Sequence, residues 1–189
     1  MLETFSLWEG QFLLWIQNTL RTDVLNQILI AYTNIGEAGI LWIVLGLVLL
    51  CMKKHRRAGF GVLAGLLTCL VLNEGILKNL VGRPRPFALL ENLAILIEAP
   101  GSFSFPSGHS ATSGAVAAVL WREDRKLFCF ILPFTILMAL SRLYVGVHYP
   151  TDVIFGFLSG LLYGGALQVG MMKVLAKWRQ KQPKKANTK

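Results

Sequence analysis

The sequence predicts an all-α fold, an integral membrane helical bundle of five to six transmembrane helices with an interfacial N-terminal helix. Three observations carry that expectation. Hydrophobic residues make up 54% of the chain and charged residues only 15%, too apolar a balance for an ordinary soluble domain. The apolar residues fall in long runs broken by short charged clusters. The net charge of +9 sits in those clusters, as it does in membrane proteins, so no nucleic-acid partner is expected. At 189 residues one domain is expected, over 1–176, with a basic and polar tail over 177–189 that reads as disordered.

Residues 3–34 are amphipathic. Phe5, Leu7, Trp8, Phe12, Leu13, Trp15 and Ile16 are apolar, and Arg21 and Asp23 interrupt before Val24–Ile30 resumes. An interfacial helix followed by a short re-entrant or membrane helix fits this pattern, and so does one tilted span. The N-terminus carries Glu3 and Glu9 rather than a basic region and an apolar core, so the spans themselves are expected to direct insertion. Five clearer spans follow, over 38–52, 58–77, 107–121, 127–147 and 150 to about 175. The third is short for a hydrocarbon layer of ~30 Å. A polar, proline-containing loop covers 80–106, and the apolar residues within 87–105 are expected to lean on the membrane. Cys51, Cys69 and Cys129 lie in separate apolar stretches without ligand-like spacing and read as small buried hydrophobes.

Orientation follows from lysine and arginine. Residues 53–57 hold four, 122–126 three and 173–189 seven, fourteen of the nineteen in the chain. If the spans alternate, all fourteen share one side, which is the cytoplasmic one and carries the C-terminus. The 80–106 loop and the Arg142–Asp152 stretch then share the extracytoplasmic side of the cell membrane. Lys78, Arg83, Arg85 and Arg142 gather there against the usual charge bias, so something must hold them.

Three motifs meet on that side. Lys78 is followed seven residues on by Arg85, locked between Pro84 and Pro86. A lysine at a helix end is often only a snorkelling cation. Two arginines flanking Pro84, the second locked by Pro86 as well, suit an anion better. In the second motif, Phe105-Pro-Ser-Gly-His-Ser110, Ser107 is placed to cap a helix and Gly108 permits close backbone approach. The free amides of a helix start bind phosphate oxygens, and His109 sits on that first turn. The third motif runs from Ser141 to Asp152. Arg142 offers a planar fork of donors, His148 can attack or shuttle protons near neutral pH, and Pro150 starts a helix that aims Asp152 back at the imidazole. Nucleophile plus orienter is the logic. The remaining histidine, His55, reads as a solvated charge in the basic cluster.

Lys78-x6-Arg85-Pro86, Pro106-Ser-Gly-His109 and Ser141-Arg142-x5-His148-x3-Asp152 together resemble the signature of the type 2 phosphatidic acid phosphatase family, in order and complete over residues 78–152. Its superfamily also contains the vanadium haloperoxidases and glucose-6-phosphatase. The resemblance implies the core shared by these phosphatases and haloperoxidases. Within it, Lys78, Arg85 and Arg142 hold the phosphoryl oxygens, with Ser107 and the Gly108 amide as further donors. His148 becomes the phosphohistidine nucleophile, Asp152 orients it, and His109 protonates the leaving oxygen. No metal or other cofactor is implied. The charge of the transferring group falls to preorganised donors. The expected substrate is a lipid phosphate, undecaprenyl pyrophosphate ahead of phosphatidylglycerophosphate or phosphatidic acid. A phosphotransferase, a haloperoxidase and a non-enzymatic membrane transporter are the alternatives. Outside the signature, Glu74 is expected to pair with Lys78 or Arg83 as structural support, and Arg83 with an acidic group or a lipid head group.

Overall fold

Helices dominate the computed structural model, which describes residues 2–181 and contains no strand among them. In order they are α1 (Leu2–Leu20), α2 (Asp23–Ile35), α3 (Ile40–Cys51), α4 (Arg56–Cys69), a π-helical segment (Leu70–Leu77), α5 (Lys78–Val81), α6 (Pro86–Leu89), α7 (Gly108–Glu123), α8 (Arg125–Tyr144) and α9 (Pro150–Lys181). Local chemistry sets the breaks. Thr22 caps α2 by accepting from the Leu25 amide. Gly39, at φ 74°, takes left-handed backbone before α3, where any other residue would be strained. α2 and the stretch Glu37–Cys51 are bent by 49° about this break. Asp124 separates α7 from α8, and Pro150 opens α9 as its fixed φ favours.

α7 is the axis of the bundle. Ten of its sixteen residues, among them Ser110, Ala111, Gly114, Ala115 and Val119, are buried. Gly156, Gly160 and Gly164, spaced one helical turn apart on α9, lie against its backbone. A Cβ at Gly160 would fall 1.9 Å from the Ala111 carbonyl oxygen, and one at Gly164 2.5 Å from that of Ala115. Small residues at such spacing let two helix backbones approach closely inside a membrane. This seam fixes the start of α7 against the start of α9, and the Ser107 amide donates to the Asp152 carbonyl at 3.0 Å.

Two apolar clusters complete the interior. Trp42, Val62, Leu66, Val116, Val119 and Met138 join α3, α4, α7 and α8. Leu13 and Ile16 of α1 pack with Leu143, Tyr144 and Val147. Outside, Val44, Leu47, Leu67, Phe130, Leu158 and Leu162 are exposed. Such an apolar coat belongs against lipid.

Arg56–Leu89, Arg125–Tyr144 and Pro150–Trp178 are long and apolar enough to cross a membrane, and the bent pair α2–α3 makes a fourth if it is one span. By length and hydropathy alone, three or four spans stand out among the described residues, and this measure does not reach the five to six crossings expected from the sequence. α7 falls short of this measure at sixteen residues, although it runs from the cavity at His109 to the junction where Asp124 meets Lys54, and its small residues meet other helices instead of lipid. Other expectations shift as well. α9 runs to Lys181, so 177–181 of the expected tail are helical, and 182–189 lie outside the described residues. Only Cys69 is buried, and Cys51 and Cys129 are exposed on the apolar coat. In the 87–105 loop Leu93 is buried, and Ile95, Leu96 and Ile97 pack on the α1–α8 cluster instead of leaning outward.

Candidate active site

All three motifs open into one cavity of about 1090 Å³. Lys78, Arg85, Gly108, His109, Arg142 and His148 line its polar part, while Ile30, Ile43, Leu63, Leu67 and Leu70 give it an apolar side between α2–α3 and α4. Ser107 and Asp152 stand behind that wall, both fully buried.

Each cation is held by a different element. Lys78 begins α5, directly after the π-helical segment, and its Nζ lies 2.7 Å from both carboxylate oxygens of Glu74. The pairing expected of Glu74 is thus with Lys78. Arg85, on the extended link before α6, donates from Nε to the Ser102 carbonyl at 2.7 Å and from Nη1 to the Val147 carbonyl at 2.9 Å. Arg142, in the last turn of α8, donates from Nη1 to the Thr33 hydroxyl at 2.5 Å. All three are at most 5% exposed, a costly place for charge unless a counter-anion is to be bound. The Nε of Arg142 and the Nε2 of His109 are buried and have no protein partner. Unmet buried polar atoms cost roughly 1–3 kcal/mol each, so their presence around one cavity fits a ligand that satisfies them.

The helix start behaves as its sequence suggests. Ser107 is the N-cap of α7 and its Oγ accepts from the Ser110 amide. Gly108 is the first helical residue, and a Cβ there would lie 2.3 Å from Glu74 Oε1. A larger residue there would have to push the Glu74 side chain aside, away from its contact with Lys78.

His148 Nε2 lies 3.3 Å from Arg85 Nη1. A guanidinium can only donate, so Nε2 accepts and the ring proton belongs on Nδ1, toward Asp152. Burial lowers the His148 pKa from its ordinary value. The neighbouring Asp152 carboxylate opposes this and nearby Arg85 and Arg142 add to it, which favours the neutral ring with the Nε2 lone pair turned toward Arg85. Nδ1 stands 3.5 Å from Asp152 Oδ2, longer than an ordinary hydrogen bond. Asp152 thus stands beside the imidazole without closing a hydrogen bond to Nδ1. Its oxygens are bonded more tightly elsewhere. Oδ2 accepts from the Tyr149 amide at 2.9 Å and from the Ser104 hydroxyl, and Oδ1 accepts from Arg83 Nη1 at 2.6 Å.

Glu9, Thr33, Ser102 and Ser104 escaped the sequence reading. Glu9 alone left a signal, since a carboxylate among Leu7, Trp8, Phe12 and Leu13 requires a partner. That partner is Arg83, at 2.5 Å.

The chemistry open to such a cavity is narrow. Its buried cations match a phosphoryl group and its apolar side matches a lipid chain, as in a membrane lipid phosphatase. The comparisons agree. A family model described as the PAP2 superfamily matches residues 58–176, and the chain belongs to that superfamily. It is 31% identical over 138 residues to an undecaprenyl-diphosphatase of Sulfolobus acidocaldarius, covering 72% of this chain and 66% of that protein. It is 30% identical over 175 residues to phosphatidylglycerophosphatase B of Bacillus subtilis, covering 86% of this chain and 82% of that one. The crystal structure of a PAP2-type phosphatidylglycerolphosphate phosphatase from Bacillus subtilis superposes with a TM-score of 0.69 at 26% identity, over 92% of this chain and 87% of its own.

Proposed function

We propose that the protein hydrolyses a lipid phosphate or pyrophosphate at the extracytoplasmic face of the cell membrane through a phosphohistidine, without a metal. His148 Nε2 attacks phosphorus and the bond to the leaving oxygen breaks. His109 supplies the proton that oxygen needs. Water then attacks the phosphohistidine, returns a proton to His109, and inorganic phosphate leaves. Lys78, Arg85, Arg142 and the Gly108 amide take up the charge on the transferring oxygens, and Ser107, capping α7 behind them, holds that helix start in place. Asp152 holds the imidazole. The observation that carries this reading is the meeting of His148 and an unpartnered His109 Nε2 in one cavity with three buried cations.

The preferred substrate is undecaprenyl pyrophosphate, yielding undecaprenyl phosphate, in keeping with the archaeal relative. Phosphatidylglycerophosphate is the second reading. It is favoured by the wider coverage of the Bacillus relative and of the matching crystal structure. The side assignment rests on the fourteen basic residues of 53–57, 122–126 and 173–189.

The test is phosphate release by purified protein in detergent micelles with a chelator present, from undecaprenyl pyrophosphate, phosphatidylglycerophosphate and phosphatidic acid. Chelator-resistant release that disappears in His148→Ala is expected, and the ratio among lipids names the substrate. Release that stops with chelator, or survives in the variant, would overturn the mechanism.

A further inference from the structure

Arg83 sits outside the family signature and outside the cavity lining, yet it is among the most tightly bonded cations in the protein. Its Nη2 lies 2.5 Å from Glu9 Oε2, and its Nη1 lies 2.6 Å from Asp152 Oδ1 and 2.7 Å from the Thr151 hydroxyl. Its guanidinium carbon stands 3.9 Å from the centre of the Tyr149 ring. Glu9 is 1% exposed, and its second oxygen accepts from the Thr151 amide at 2.9 Å and hydroxyl at 2.6 Å. α1 is thereby bound through one carboxylate to the first turn of α9, where Asp152 stands. The family match begins at residue 58, so Glu9 lies N-terminal to the segment that defines the family.

We propose that Glu9 and Arg83 are positioning residues for the hydrolysis, forming with Asp152 a carboxylate–guanidinium–carboxylate triad, its two carboxylates buried and its guanidinium partly so, that fixes Asp152 and preserves its charge for His148. This rests on the phosphohistidine reading above. Charge counting explains why two carboxylates are present. Arg83 paired with Asp152 alone would cancel the charge that a developing positive imidazole needs beside it. With Glu9 sharing the guanidinium, the triad keeps one net negative charge, and the atom nearest His148 is Asp152 Oδ2. The planar fork also fixes orientation, since one nitrogen serves each carboxylate. Neither residue touches the reacting atoms, so both act through Asp152.

A plain salt bridge stapling α1 to the bundle would show the same distances, so the test must separate the two roles. Phosphate release from undecaprenyl pyrophosphate and phosphatidylglycerophosphate is measured for the full chain in micelles, for Glu9→Gln, Asp152→Asn and the double variant, with residual rates followed over hours. Positioning predicts that Glu9→Gln lowers kcat about tenfold or more with KM within about twofold. It also predicts no further loss when Glu9→Gln is added to Asp152→Asn, because residues acting as one unit are not additive. Arg83→Lys keeps a cation without the fork and falls between wild type and Asp152→Asn. It carries the same cycle if Glu9→Gln does not fold. A kcat within twofold of wild type, or the full loss repeated in the Asp152→Asn background, would overturn the proposal. His148→Ala runs alongside. Activity surviving in it sinks the phosphohistidine reading itself, whereas lost activity in it with additive losses at Glu9 sinks only the triad.

Discussion

The two ends of the bundle use the same residue types to opposite effect. At the cavity end, Lys78–Glu74, Arg83–Glu9 and Arg83–Asp152 close to 2.5–2.7 Å. At the far end, where the α3–α4 turn meets the α7–α8 junction, Lys54–Asp124, His55–Asp124 and Arg57–Glu123 stand at 3.6–3.9 Å, with the Lys54 side chain 80% exposed. Pairs held at such separations, with the Lys54 and Arg57 side chains largely exposed, contribute little. Buried pairs must recover a desolvation cost of several kcal/mol per ion, and breaking one is severe. The difference separates a surface that needs only to be wet from a site whose charges have been assembled for a task.

The strongest way to break this comparison is at the nucleophile. His148→Ala is expected to lower kcat by on the order of 10³-fold or more, as the phosphohistidine route proposed above requires. Single-turnover phosphate release measures it. Next comes Arg142→Gln, which keeps a donor for Thr33 but removes one of three cations. A fall in kcat/KM of roughly 10²-fold is expected, from removal of one preorganised charge. An equal loss from Arg57→Gln at the far end would erase the distinction between the two ends.

A smaller effect, with the opposite sign, is expected at Glu74. Its carboxylate engages Lys78 through both oxygens and lies against Gly108, so an incoming phosphoryl group must compete with it. Glu74→Gln is expected to tighten inhibition by inorganic phosphate roughly fivefold, the equivalent of about 1 kcal/mol for one competing ionic hydrogen bond. Weaker inhibition would mean that Glu74 orients Lys78 for the substrate instead of standing in its place.

How legible the site was depended on distance along the chain. Lys78 through Arg85, Ser107 through His109 and Arg142 through Asp152 are compact segments whose residue types announce anion binding, a helix start and a nucleophile. The partners that finish the site are remote. Glu9 meets Arg83 across 74 positions and Thr33 meets Arg142 across 109, and no local pattern encodes such pairs. The fold shows the same division. Helix starts at Ser107 and Pro150 and the break at Asp124 are local chemistry and were readable. The enclosure of α7 is not, because Gly156, Gly160 and Gly164 reveal their purpose only when the helix they meet is known. Cys51 and Cys129 were misassigned for a related reason. An apolar neighbourhood in the sequence of a membrane protein can face lipid as readily as a core.

Asp124 offers the smallest effect and tests the far end directly. Its Oδ1 accepts from the Lys126 amide at 2.9 Å and the Leu127 amide at 3.1 Å, capping α8. The bond from the Leu127 amide, then that from Lys126 and the nearby Lys54 and His55, hold the carboxyl below its ordinary value despite some desolvation. A folded-state pKa below the unfolded one contributes stability that is present above the unfolded value, about 3.9, and is lost as pH falls through the folded value. Asp124→Ala should therefore lower the thermal midpoint by about 2–4 °C at neutral pH, as loss of a helix cap does in a chain of this size. The gap from wild type should narrow as pH falls below about 4, and kcat should stay within about twofold, since nothing at this end reaches the cavity. If kcat fell with the midpoint, α8 would be carrying strain from Asp124 along its length to Arg142, and the two ends would have to be treated as one coupled unit.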